Sequence, residues 1–200
     1  MTTTLNEIKK YNPCNNGWTK LLKNLGKTKA DDELLSLMYI LESNGIRDAI
    51  WCLKSIKGED RKIRLFAVAC VREVEHLMGD KKSIHILNTS ERFANGEATE
   101  EELFESVNAV MATIHDNIVN IADLASYETA VCTTTGDNYN NASINVSVSI
   151  IASDAVRAAY DAVYKTTEIM DRDYIAEQAR NTALARQKEL FIHFFGEGKN

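Results

Sequence analysis

Proline and glycine are scarce in this sequence, with one proline (Pro13) and nine glycines in 200 residues. A β-sandwich or barrel turns its chain many times, and those turns draw on both residues. Their scarcity argues against that architecture and leaves a chain rich in Ala, Leu, Glu and Lys to form long helices. Paired cysteines are missing too. Cys14, Cys52, Cys70 and Cys132 stand far apart with no C-x-x-C among them, so neither a zinc knuckle nor a disulfide framework is indicated. Cys70 falls inside an apolar helical stripe and reads as a small core residue.

No run of eighteen apolar residues occurs, so no membrane span is expected. Met1 to Thr4 lead straight into polar sequence without the pattern of a signal peptide. The expected location is therefore the cytoplasm, and the N-x-S/T triplets at Asn88, Asn141 and Asn145 carry no weight. Phosphate-binding loops are absent, with neither G-x-x-x-x-G-K-[ST] nor G-x-G-x-x-G present. An excess of positive charge is absent as well. The net charge of −6 gives no general attraction to nucleic acid.

What charge there is divides unevenly. Residues 1–30 hold six lysines (Lys9, Lys10, Lys20, Lys23, Lys27, Lys29) against Glu7, whereas residues 97–161 hold eleven acids against Arg157. Two solvated faces would give this pattern, and so would a surface that orients a partner.

The apolar spacing predicts one all-α domain over 1–200, a bundle of about eight or nine helices with long antiparallel helices in its C-terminal half. A basic helical segment (1–30) leads into helical hairpins (31–96) and then a long-helix bundle (97–196). Asp31-Asp32-Glu33 reads as a helix start for Leu34, Leu37, Met38 and Leu41, ended by Asn44-Gly45. A short helix follows from Ile46 to Leu53. The strongest pattern runs from Asp60 to Met78, through Ile63, Phe66, Ala67, Cys70, Val74, Leu77 and Met78, and Leu65, Val68 and Val71 widen it enough to face neighbours on two sides.

Residues 81–95 read as a helix with Ile84, Leu87 and Phe93 inward, ended by Asn95-Gly96. Thr99 and Glu102 then form a capping box for a long helix carrying Leu103, Val107, Val110, Ile114, Ile121 and Ala125. The polar stretch 132–141 reads as a loop. Residues 144–150 alternate like a strand, but the spacing of Ile144, Val148, Ile151, Ala155, Ala158 and Ala162 also fits a helix. Helix is the reading adopted, since a lone strand has nothing to pair with. A final helix over Arg172–Phe195 ends in Leu190, Phe191, Phe194 and Phe195.

Candidate chemistry is thin. Glu73 and His76 make the Glu-x-x-His of a carboxylate-bridged metal bundle, but the second such pair is missing, and Glu189 and His193 stand at the wrong spacing. His76, His85, His115 and His193 could serve as bases, yet no serine or cysteine sits in a nucleophile elbow. Trp18 among Lys20, Lys23 and Lys27 could stack a base beside phosphate contacts, although Trp18, Leu21, Leu22 and Leu25 share helical spacing and read as packed. Glu97, Glu100, Glu101, Glu102 and Glu105 could imitate phosphates, but helix N-termini favour glutamate in any case. No enzyme, cofactor or metal site is read from the sequence.

Three segments carry a resemblance. Asp48-Ala-Ile-Trp-Cys-Leu-Lys54, Asp60-Arg-Lys-Ile-Arg-Leu-Phe-Ala-Val-Ala-Cys70 and Ser90-Glu-Arg-Phe-Ala-Asn-Gly-Glu-Ala-Thr-Glu-Glu-Glu-Leu103 resemble the immunity-protein domain of the Imm-five-like kind, over about residues 45–165. The opening Tyr11-Asn-Pro-Cys14, with Gly17-Trp18, Leu21-Leu22 and Leu25-Gly26, is similar to relatives of phage and prophage type. In its later helices the chain departs from the family, with Asn, Ser, Val and Ile where relatives are rich in Ala, Arg and Trp. The resemblance implies a non-enzymatic inhibitor in a bacterial cell, encoded by the host or by a phage, with no catalytic residues to carry over.

The leading expectation is thus a protein that binds and neutralises a protein effector, either a bacterial toxin or a host defence component such as a CRISPR nuclease complex. The expected partner surface comprises Glu97, Glu100, Glu101 and Glu105, the loop residues Asp137, Asn138 and Tyr139, and the basic residues Lys20, Lys23 and Lys27. The alternatives are a protein that binds or sequesters a signalling nucleotide, with Arg61, Lys62 and Arg64 as its cations, and an enzyme whose site is not recognised. The broad stripe of 60–78 and the apolar end at Leu190–Phe195 leave room for a homodimer.

Overall fold

The computed structural model describes residues 1–114, Ala122, Ala125, Ser126, Thr129, 155–157, 159–161 and 172–196, with 110–114 and Arg172 described by their backbone alone. Among these residues run eight α-helices: α1 (Leu5–Lys9), α2 (Asn15–Asn24), α3 (Leu37–Ser43), α4 (Ile46–Cys52), α5 (Asp60–Arg72), α6 (Lys81–Ala94), α7 (Glu100–Ile114) and α8 (Arg172–Phe195). The segment 155–157 and 159–161 is helical too. The architecture is an all-α, single-domain bundle. The expected loop at 132–141 and helix at 144–150 lie outside the described residues.

The first helical start is displaced from its expected place. Residues 31–34 are not helical, Leu34 is 74% exposed, and α3 begins only at Leu37. The acids that mark a helix start are engaged elsewhere. The Lys27 ammonium pairs with Asp31 and Glu33, each at 2.7 Å, and an Asp31 carboxylate oxygen accepts from the Glu33 backbone N–H. Such local bonds compete with the helix. Ser36 caps α3 instead, its hydroxyl accepting from Met38 N–H at 3.1 Å. The freed segment forms β2 (Leu35–Ser36), which pairs antiparallel with β1 (Thr2–Thr3). Beneath this pairing, Thr3 donates to Ser55 and Ser55 donates to the Cys52 carbonyl, both at 2.7 Å, so both buried hydroxyl groups are satisfied.

The α3–α4 hairpin turns at Asn44-Gly45 as expected, with Gly45 at φ +100°, a conformation that suits glycine. Helix α5 stops at Arg72, short of Met78, and a 3-10 turn takes over at Glu75–Leu77. Arg72 draws this turn in. Its guanidinium binds Glu75 at 2.7 Å and reaches across to Glu91 (2.6 Å) and Asn88 (2.7 Å) on α6.

The inward face of α6 also differs from expectation. Ser83, Ile86, Leu87, Ser90 and Ala94 are buried, while Ile84 and Phe93 are half-buried. Ser90 and Thr89 donate to carbonyls one turn back, which lets hydroxyls sit in the apolar interface. The capping box of α7 is present in both directions: Glu102 N–H donates to the Thr99 hydroxyl (3.1 Å), and Thr99 N–H donates to the Glu102 carboxylate (2.8 Å).

The core centres on α5 and the end of α8. Phe66 is fully buried and meets Phe191, Phe194 and Phe195 edge-on, at centroid distances of 5.7, 6.0 and 5.3 Å. Full burial of each such ring contributes on the order of 1.5–3 kcal/mol. The broad stripe of α5 and the apolar end of α8 therefore cover one another. Helix α8 also packs on α4 and α3, which brings the C-terminal helix against the N-terminal hairpin.

Candidate functional site

Between these two halves lies a cavity of about 690 Å³. Its walls come from α2, the α3–α4 hairpin, the helical residues 155–157 and 159–161, and α8. Three of the walls present the same helical face. Gly17, Trp18 and Leu21 on α2, Arg47, Asp48 and Trp51 on α4, and Val156, Arg157 and Tyr160 each fall at i, i+1 and i+4. On α8, Glu177, Arg180, Leu184 and Gln187 form the fourth line at spacings of three and four.

The α2 and α4 walls are fixed to one another by Asn44. Its side-chain amide donates to the Gly17 carbonyl (2.9 Å) and to Asp48 Oδ2 (2.8 Å). Close approach here favours glycine at position 17. A Cβ on Gly17 would lie 3.0 Å from Asp48 Oδ2 and 3.3 Å from the Cys14 sulfur. Cys14 caps α2, its sulfur accepting from Gly17 N–H at 3.4 Å. Lys20 lies at the same edge and donates to the Asn44 carbonyl at 3.1 Å.

Aromatic surface and charge meet in this cavity. Trp18 and Trp51, the two tryptophans of the chain, both line it together with Tyr160. The Lys54 ammonium lies 4.7 Å from the Trp51 ring centroid, and burial lowers its pKa. Three arginines face two carboxylates. Arg180 pairs with Glu177 at 3.0 Å. Arg157 and Asp161 stand 3.9 Å apart with the arginine largely exposed, a geometry that holds little energy. Arg47 has no ion-pair partner among the described residues, and neither has Asp48. The Cys52 thiol in the wall is pushed up to about 12 by burial, and secondarily by Asp48, so it stays protonated at neutral pH.

The residues expected from sequence fall elsewhere. Glu97, Glu100, Glu101 and Glu105 are exposed at the α6–α7 turn and the start of α7, around Phe104, which is 58% exposed. Lys20 and Lys23 are exposed on α2, and Lys27 is held by Asp31 and Glu33. Asp137, Asn138 and Tyr139 lie outside the described residues. The proposed ligand cations do not converge. Arg61 donates to Asn95, Lys62 pairs with Glu59, and Arg64 lies over the Phe93 ring. Glu73 pairs with Arg186 at 3.0 Å, and no group able to hold a metal ion occurs among the described residues. No described helix is long and apolar enough to cross a membrane.

Sequence reasoning missed Arg47, Asp48, Arg157, Tyr160 and Arg180 as cavity residues. A usable signal was present on two helices, since both tryptophans carry a charged or glycine neighbour on the same helical face. No family model matches the chain, and no curated protein or solved structure matches it either.

Proposed function

We propose that the chain is a binding protein that holds a small organic ligand in the cavity between α2, α4, the 155–161 segment and α8. One observation carries this reading: a space of about 690 Å³ in which aromatic faces and arginines converge from four separate stretches of chain. Ligand sites characteristically join an apolar lining of this size to a few placed polar groups. Burial keeps the Cys52 thiol protonated, so this side chain serves as a packing group in the wall rather than as a nucleophile. The free thiols Cys14, Cys52 and Cys70 suit a reducing compartment such as the cytoplasm.

The test is a thermal-shift screen of cellular metabolites, followed by tryptophan fluorescence titration. A ligand at one hundred times its Kd stabilises the fold by about 2.7 kcal/mol and should quench or shift Trp18 and Trp51 emission. The reading fails if no metabolite stabilises the protein, or if every stabilising compound binds a Trp51→Ala variant as well as the parent.

A second reading, neutralisation of a protein effector, draws on the acidic ridge. Phe104 stands exposed between Glu100, Glu101 and Glu105, and an aromatic centre with a polar rim is the general anatomy of a protein interface. The resemblance to immunity-protein domains points the same way. Affinity capture from the native cell should then yield a stoichiometric protein, and that protein should be lost with Phe104→Asp.

A further inference from the structure

Resting on the ligand-binding reading above, we infer that the cavity takes a guanine-type nucleotide, a flat base bearing adjacent N–H donors joined to a phosphate. Three features of the wall each ask for one part of that molecule. Trp18, Trp51 and Tyr160 offer π surfaces, and a heteroaromatic base stacks on such surfaces whatever its identity.

Arg47 and Arg157 supply the second part. Arg47 has no ion-pair partner among the described residues, and the contact of Arg157 with Asp161 is a loose 3.9 Å. Planar guanidinium groups bind phosphate through two parallel N–H bonds, so a pair of lightly engaged arginines on one cavity favours a phosphate-bearing ligand over a neutral one.

Asp48 supplies the third part and narrows the base. A carboxylate on a cavity that also receives phosphate repels its ligand unless donors face it. Asp48 carries no cation among the described residues, and its orientation is set by the Asn44 amide on Oδ2. A carboxylate oxygen accepts more than one hydrogen bond, so both oxygens retain capacity. The guanine edge presents two parallel donors, a ring N–H and an exocyclic amine, which match a carboxylate. The corresponding edge of adenine places an acceptor beside its amine and leaves lone pairs opposed. This preference is the kind that a polar wall enforces, because the wrong base sets lone pairs against the half-buried Asp48 carboxylate.

Isothermal titration of the full chain with GMP, GDP, AMP, ADP, guanosine and inorganic phosphate tests the inference. Expected is binding of GMP or GDP at least tenfold tighter than the adenine counterpart, with a change in tryptophan emission. Asp48→Asn should abolish the base preference. Arg157→Ala, at an exposed position that does not threaten folding, should weaken GMP at least tenfold while leaving guanosine within twofold. Equal affinity for guanine and adenine nucleotides overturns the role of Asp48 and with it the inference. Absence of nucleotide binding overturns it outright. In that case a different metabolite from the thermal-shift screen would leave the ligand-binding reading standing, and an empty screen would remove both.

Discussion

Replacing Asn44 by alanine tests whether the α2–α4 wall is held together as the geometry implies. The substitution removes the side-chain bonds to the Gly17 carbonyl and Asp48 Oδ2, at 2.9 and 2.8 Å, together with the bond that the Ser43 hydroxyl donates to Asn44 Oδ1 at 3.2 Å. A neutral hydrogen bond contributes about 0.5–1.5 kcal/mol net, and one to a charged acceptor about 1.5–3 kcal/mol. Asn44 is half-buried, so water takes up part of the loss. A destabilisation of about 2 kcal/mol is the expected result, which for a domain of this size lowers Tm by about 4–8 °C.

Equilibrium urea denaturation followed by tryptophan emission measures the difference, because Trp18 and Trp51 stand on the two elements that Asn44 joins. Asn24→Ala serves as the control, since its amide makes one exposed bond to the Ser43 carbonyl and should cost less than about 1 kcal/mol. Asn44→Asp should be worse than Asn44→Ala at neutral pH, because it sets a second carboxylate beside Asp48. A loss under about 0.5 kcal/mol for Asn44→Ala, within the range of ordinary surface substitutions, would refute the argument.

Phe66→Ala should destabilise by about 3–5 kcal/mol, since the ring is fully buried against three phenylalanines of α8; a loss below about 2 kcal/mol in urea denaturation would mean that α8 does not seal the core as described. The Glu102 carboxyl is held below its ordinary value of 4.5 by the Thr99 backbone N–H first and Arg92 second. Its stabilising contribution is therefore complete above pH 4.5 and is lost as pH falls through the lower folded value, so Glu102→Gln should flatten the acid limb of a stability profile below pH 4.5. In a Cys132→Ser background, a thiol reagent should modify Cys14 quickly and the buried Cys52 and Cys70 only as the chain unfolds; rapid modification of more than one thiol would contradict the packing.

Periodicity made most of the helices legible. The span of α5 up to Arg72, α7 with its capping box, and the span of α8 all follow from apolar spacing and a few end signals, which are local properties of sequence. The misplacements are equally physical. Asp31, Asp32 and Glu33 look like a helix start until Lys27 is seen to hold two of them, and that pairing depends on how the loop folds back. Arg72 ends α5 early through contacts with Glu91 and Asn88, residues sixteen to nineteen positions away. The candidate site was hidden for the same reason. Its residues are unremarkable one by one, and only tertiary packing sets Arg180 of α8 and Arg157 on one cavity with the tryptophans. Charge clusters drew attention to residues 97–105 because clustering is visible in one dimension, whereas convergence is not.

The cavity and the acidic ridge occupy different parts of the bundle, which makes their roles separable. Helix α7 packs chiefly on α6, and α6 on α5, while the cavity is built from α2, α4, the 155–161 segment and α8. Substitutions without shared partners act independently, to within about 0.3–0.5 kcal/mol. Phe104 is exposed, so Phe104→Ala should leave both the fold and the affinity for a cavity ligand within about twofold of the parent, while removing any protein captured through the ridge. Trp51→Ala should do the reverse. Titration of both variants with one ligand and one captured protein decides the matter. Loss of ligand affinity in Phe104→Ala would mean that α6 and α5 transmit a change of packing from the ridge to the cavity, and the two surfaces would then have to be treated as one coupled device.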